Sequence, residues 1–174
     1  MRSFANVRDE SIIRVFLETG ARIAEVAGLE MHQTMNTLDV EAAELRVVGK
    51  GRRPRIVPLS SRTVRAADRY LRARRTHVHR ENPSFWLGER GPLTPSGISQ
   101  MLSTRANTAG LKHIHPHQFR HTFAHHWKTQ GGSEEDLMRL AGWRSRDMLL
   151  RYGASSADDR AAKSHRQMRP GDRV

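Results

Sequence analysis

Residues 35–59 break the pattern of this chain, and that break constrains its fold more than any other feature. On either side, apolar residues recur three and four apart, as on one face of an α-helix. Inside the interval, Leu38-Asp39-Val40, Leu45-Arg46-Val47-Val48 and Arg55-Ile56-Val57-Pro58 read as short strands, with Gly49-Lys50-Gly51 turning between the last two. Many helical stripes around one small antiparallel sheet describe an α+β protein that is mostly helical. Its 174 residues suit a single domain, residues 1–174, with a real core.

The helical stripes can be placed one by one. Ile12, Ile13, Phe16 and Leu17 mark a helix over Asp9–Thr19 that stops at Gly20, leaving residues 1–8 as an N-terminal remnant. A second helix follows from Ala21 to Leu29. Ser60 or Ser61 caps a long one, with Val64, Ala67 and Leu71 inward and Arg62, Arg65, Arg69, Arg72, Arg74 and Arg75 on the other face. Residues 81–93 read as a loop around Phe85-Trp86-Leu87. Thr94-Pro95 opens the next helix, Pro116 another, and Ser133 with Asp136 a third. A short segment then leads to Tyr152, and residues 155–174 form a C-terminal tail with an Ala-rich helix.

Charge narrows the function. The chain carries a net +12, unevenly: residues 1–44 hold four basic and eight acidic side chains, residues 45–174 hold 26 basic and ten acidic. Coding bias explains Arg over Lys but not basic over acidic, so the larger part reads as a surface for a polyanion, DNA or RNA. No stretch approaches the ~20 apolar residues of a membrane span, and the N-terminus has no apolar signal core. The absence of cysteine excludes disulfides, zinc-thiolate sites and thiol nucleophiles, and is compatible with a reducing cytosol.

The chemistry concentrates near the C-terminus. His117-Gln118-Phe119-Arg120-His121 places His117, Arg120 and His121 on one helix face, and Tyr152 lies downstream behind Gly142-Trp143-Arg144. Two guanidiniums, Arg22 at a helix start and Arg120, can bind the non-bridging oxygens of a phosphodiester with planar, multiple donors. His117 can move a proton, because imidazole titrates near neutrality. A tyrosine phenol needs a proton acceptor and a positive field to attack phosphorus. Six histidines between His113 and His126 invite a metal reading, but no HExxH, cysteine or carboxylate joins them, so no metal and no cofactor are expected.

Taken in order, these motifs resemble the catalytic domain of the tyrosine recombinases, or phage-type integrases. Thr19-Gly20-Ala21-Arg22-Ile23-Ala24-Glu25 is similar to that family's Thr-Gly-x-Arg-x-x-Glu, and Gly49-Lys50-Gly51 with Arg53, Arg55 and Pro58-Leu59 to its lysine hairpin. His117 to His121 matches its His-x-x-Arg-His box. Leu140-Ala141-Gly142-Trp143 resembles Leu-Leu-Gly-His, with Tyr152 nine residues beyond Trp143. The resemblance implies the family's mixed, largely helical fold and assigns roles. Arg22 and Arg120 clamp the scissile phosphate, Lys50 is general acid to the 5′-oxygen, His117 assists proton transfer, and Tyr152 forms a 3′-phosphotyrosyl bond without metal or ATP. Trp143 replaces a histidine; its indole can donate one hydrogen bond and pack, but it is no acid or base. Arg52, Arg53, Arg55, His121 and Arg144 are expected to contact DNA, and Glu25 to support Arg22.

The resemblance also implies double-stranded DNA as partner, a synaptic tetramer for a full-length protein, and a bacterial cytoplasm, whether the source is phage, prophage or bacterium. Members carry an N-terminal core-binding domain that is expected to be absent here, so the chain reads as a monomeric fragment or a naturally short protein. Two alternatives share the residues: a type IB topoisomerase-like relaxing enzyme, and a non-catalytic DNA-binding regulator derived from an integrase.

Overall fold

The computed structural model describes residues 3–31, 35–49, 54–112, 114–153 and 157–168. Helix α1 (Phe4–Thr19) starts five residues before the apolar stripe suggested, because Ser3 accepts from the Asn6 N–H at 3.3 Å and caps it. Val7 is buried, so residues 4–8 belong to a packed helix. Gly20 ends α1 at φ 56°, its N–H donating to the Phe16 carbonyl. A Cβ there would lie 2.7 Å from Phe123 Cδ1, so only glycine fits this turn. Helix α2 (Ile23–Ala27) follows at once, shorter than expected, with Arg22 as its N-cap.

Strands β1 (Thr37–Asp39), β2 (Glu44–Val48) and β3 (Pro54–Pro58) form one antiparallel sheet in the order β1-β2-β3. Their register pairs Leu45 with Val57 and Val47 with Arg55. Side chains alternate across a strand, so Arg55 shares the inward face with Val57, while Ile56 between them is 52% exposed.

Helix α3 (Ser61–Arg74) packs on α1 through Thr63, Ala66, Ala67 and Tyr70. The expected basic face holds for Arg62, Arg65, Arg72 and Arg75, which are exposed, but not for Arg74. Arg74 is 5% exposed and donates to the carbonyls of Arg80, Asn82, Ser84 and Phe85. It follows Thr63, Ala67 and Tyr70 on the buried stripe, and backbone oxygens satisfy its charge there. The Tyr70 hydroxyl donates to Phe85 O and accepts from Leu87 N; burial pushes its pKa up to about 12, against the opposing pull of that N–H.

The stretch read as a loop contains a two-stranded hairpin, β4 (Leu87–Gly88) and β5 (Gly91–Pro92). Its flank, Phe85 and Trp86, is buried in the main core with Ile12, Phe16, Leu45 and Tyr70. Helix α4 (Pro95–Thr108) begins where Thr94 accepts from the Gly97 N–H at 3.1 Å. Helices α5 (Pro116–Thr129) and α6 (Glu134–Ala141) fall where the capping residues put them. The segment leading to Tyr152 is itself helical, α7 (Arg146–Gly153), and α8 (Ala157–Met168) comes last. Helix α7 packs on α5, where Leu149 joins a smaller core with Phe123, Ala124, Leu137, Ala141 and Trp143. Helix α1 therefore sits between α3 and α5, with Phe119 stacked on Phe16 at 5.5 Å between ring centroids inside the main core, and Leu140 packs against both cores. Among the described residues no helix is long and apolar enough to cross a membrane.

Candidate active site

The Gly20 turn delivers two arginines to one place. Arg22, two residues on, donates its backbone N–H to Glu25 Oε2 at 2.7 Å and its Nη1 to Oε1 at 3.0 Å. Its side chain remains 39% exposed. Arg120 comes from the second turn of α5 and reaches back to donate Nη1 to the Gly20 carbonyl at 2.6 Å. Its Nη2 donates to the Ala141 carbonyl at 2.5 Å, at the last residue of α6. A helix C-terminus is negatively polarised, so this burial, 3% exposed, suits a guanidinium. Trp143 lies over it, with Cζ 5.2 Å from the ring centroid.

Beside Arg22 sits a carboxylate shared by two cations. Glu25 Oε1 and Oε2 accept from Arg55 Nη1 and Nη2 at 3.0 and 2.7 Å, a two-pronged pair with side chains 6% and 9% exposed. Burial alone would raise the Glu25 carboxyl. The hydrogen bonds and charge of Arg55, joined by the N–H and charge of Arg22, hold it below the usual carboxylate value. Arg55 Nε donates to the Leu140 carbonyl at 2.9 Å. Adjacent carbonyls at the end of α6 thus each take one arginine. Arg55, expected among the DNA contacts, borders the cleft but has three of its donors engaged by the protein through inward parity on β3.

A cleft of about 580 Å³ opens beside these groups, bordered by Arg22, Gly49, Arg55, Trp143, Arg144 and Met148. Gly142 closes α6 at φ 64°, and a Cβ on it would stand 3.2 Å from Arg55 Nη1, so glycine is required for both reasons. The structure therefore brings Arg22, Glu25, Arg120, Trp143 and Arg144 together. His117 is exposed one turn before Arg120 on α5, beside His121, whose pKa is lowered by partial burial and then by the nearby His117. Tyr152 is carried by α7, the helix packed against α5. Lys50, Arg52 and Arg53 lie outside the described residues, although Gly49, at the end of β2, borders the cleft. Among the described residues no three metal-ligating side chains converge.

What sequence reasoning missed is the joint made by Arg55. Its signal was the alternation along β3, which sets Arg55 beside Val57.

Known proteins resemble this chain in sequence and fold. The sequence model of the Phage integrase family matches residues 2–159. Tyrosine recombinase XerC of Chromohalobacter salexigens is 35% identical over 122 residues, 69% of this chain and 39% of that protein. Tyrosine recombinase XerC of Pelobacter propionicus is 32% identical over 154 residues, 87% of this chain and 49% of that protein. The chain thus spans less than half the length of these two relatives. The crystal structure of XerA recombinase superposes with a TM-score of 0.79 at 25% identity, covering 95% of this chain and 57% of that one. With the match running through nearly all the helices described above, the chain belongs to the phage integrase family, the tyrosine recombinases, and corresponds to their catalytic domain.

Proposed function

We propose that this domain cuts and rejoins DNA strands at specific sites, as a recombinase or integrase. The observation that carries the reading is the convergence of Arg22 and Trp143 on one cleft, with Arg120 beneath the Trp143 ring, beside the helix that bears Tyr152. Arg22 and Arg120 stabilise the charge that grows on the two non-bridging oxygens of the scissile phosphate. The Tyr152 phenol oxygen attacks phosphorus, its proton passing to His117 or solvent, and the bond to the 5′-oxygen breaks. Lys50 supplies the proton that the departing 5′-oxygen needs. A 5′-hydroxyl from a partner strand then attacks the phosphotyrosine, reforms a phosphodiester and returns the proton, releasing Tyr152. One ester is exchanged for another at each step, so no ATP is consumed.

Trp143 packs on Arg120 and keeps its guanidinium plane fixed; it moves no proton. Arg144, exposed at the cleft rim, and His121 beside His117 supply phosphate contacts, with Arg52 and Arg53 in the hairpin. The basic part of the chain fits double-stranded DNA as partner and the bacterial cytoplasm as its place of action. Four copies synapse in a complete protein, while this domain alone is a monomer. No resident metal is required, since arginines and Lys50 supply the positive charge.

The test is incubation with a DNA duplex nicked so that the cleaved fragment diffuses away. Wild type should accumulate a covalent protein–DNA adduct, and Tyr152→Phe should form none while retaining DNA affinity. An adduct formed by the Phe variant would remove Tyr152 as the nucleophile.

A further inference from the structure

We propose that Arg55 is a positioning residue for this centre: by neutralising Glu25 and tying it to the end of α6, it leaves the charge of Arg22 facing the cleft. The inference rests on the strand-transfer reading above and extends it to a residue that touches neither DNA nor the reacting atoms.

The geometry is that of a joint. Arg55 leaves β3 on the inward face, opposite Val47. Its Nη1 and Nη2 grip both oxygens of Glu25 on α2, and its Nε holds the Leu140 carbonyl on α6. Two chain segments close around it without side chains. A Cβ on Gly49 would lie 3.4 Å from Nη1, and one on Gly142 3.2 Å. Each end of the joint is three residues from a proposed site group: Glu25 follows Arg22, and Leu140 precedes Trp143.

Charge supplies the mechanism. One carboxylate faces two guanidiniums, and Arg22 Nη1 and Arg55 Nη1 share the same oxygen, Oε1. With Arg55 present, Glu25 is satisfied by the buried partner, and the half-exposed Arg22 keeps a net positive charge for a phosphate. Without Arg55, the buried carboxylate has Arg22 as its neutralising partner and draws it inward, since an uncompensated buried charge is costly. A lysine at position 55 would keep the charge but could not span both oxygens and the carbonyl.

The experiment compares wild type, Arg55→Met, Glu25→Gln and the double variant in single-turnover cleavage of the nicked duplex, with Tyr152→Phe as blank. Arg55→Met should cleave about 10- to 100-fold more slowly, the range for groups that orient others. Glu25→Gln in the same chain should recover much of that loss by removing the carboxylate that captures Arg22. A direct phosphate contact by Arg55, or a role in stability alone, predicts no recovery, and that result would overturn the proposal. Should Arg55→Met fail to fold, Arg55→Lys is read the same way: slower than wild type and recovered by Glu25→Gln. NMR titration of Glu25 provides a readout independent of cleavage, its carboxyl rising in Arg55→Met. An unchanged Glu25 titration sinks the joint, whereas an absent wild-type adduct sinks the strand-transfer reading alone.

Discussion

Two buried arginines, Arg74 in the main core and Arg120 in the smaller one, solve one physical problem for different ends. Each is almost fully enclosed and each donates to backbone carbonyls, Arg74 to those of Arg80, Asn82, Ser84 and Phe85 and Arg120 to those of Gly20 and Ala141. Arg74 gathers carbonyls from one local stretch, Arg80 to Phe85, and so fastens a connection beneath Tyr70 and Trp86. Arg120 instead joins Gly20 to Ala141, segments far apart in the chain, under the face of Trp143. The first guanidinium closes a scaffold; the second lies where three helices and a cleft meet. Burial of a cation is therefore no mark of function by itself, and what separates the two is which segments the carbonyls belong to.

Substitutions can break that contrast. The largest stability effect belongs to the scaffold: Trp86→Ala, in a fully buried ring packed between a tilted Tyr70 and an edge-on Phe85, should cost about 3–5 kcal/mol in chemical denaturation. The molecules that remain folded should cleave at the wild-type rate. Next, Arg120→Lys should slow cleavage about 10²- to 10³-fold, as loss of a transition-state donor does. Arg74→Lys should lower stability and leave cleavage by folded protein within a few-fold. Equal cleavage defects in the two lysine variants would erase the distinction between them.

Gly142→Ala is a smaller perturbation, with about 1–2 kcal/mol expected from the left-handed backbone, read from thermal unfolding. Its methyl also presses on Arg55 Nη1, so cleavage should slow along with the loss of stability. The smallest effect is a pH dependence. Because the folded Glu25 carboxyl titrates below its ordinary value of 4.5, the stability it contributes is complete above that value. It is lost as pH falls through the lower folded value. Glu25→Gln should flatten that acid limb in denaturation curves, and an unchanged limb would place the carboxylate's partners elsewhere.

Much of the fold was legible because periodicity is a direct imprint of burial. The three strands and the starts of α4, α5 and α6 stand where alternation and capping residues indicate. Helix α7 was missed although Ser145 directly precedes it, because Met148 and Leu149 are a short apolar run and its packing partners lie on α5 and α6. Strands β4 and β5 are two residues each, too short to show any alternation. Arg55 and Arg74 share another cause. Each sits at a position whose spacing marks it as inward, Arg55 with Val57 and Arg74 with Tyr70. In both, the charge of the side chain outweighed the pattern. Of the site, Arg22, Arg120 and Trp143 could be nominated from motif order. The bond from Arg120 to the Gly20 carbonyl crosses 100 residues and has no local signature.

The grip of Arg74 has a consequence for how this protein tolerates change. Carbonyl oxygens are common to every amino acid, so this grip is indifferent to the residues that supply them, although His77 and Asn82 also hold the segment through their side chains. Between Thr76 and Ser84, drift or deliberate randomisation of the exposed side chains should be neutral. Length is another matter: inserting or deleting a single residue would move the oxygens of Arg80, Asn82 and Ser84 out of step with a guanidinium that cannot follow. The surface there is free to diversify in spelling but not in count.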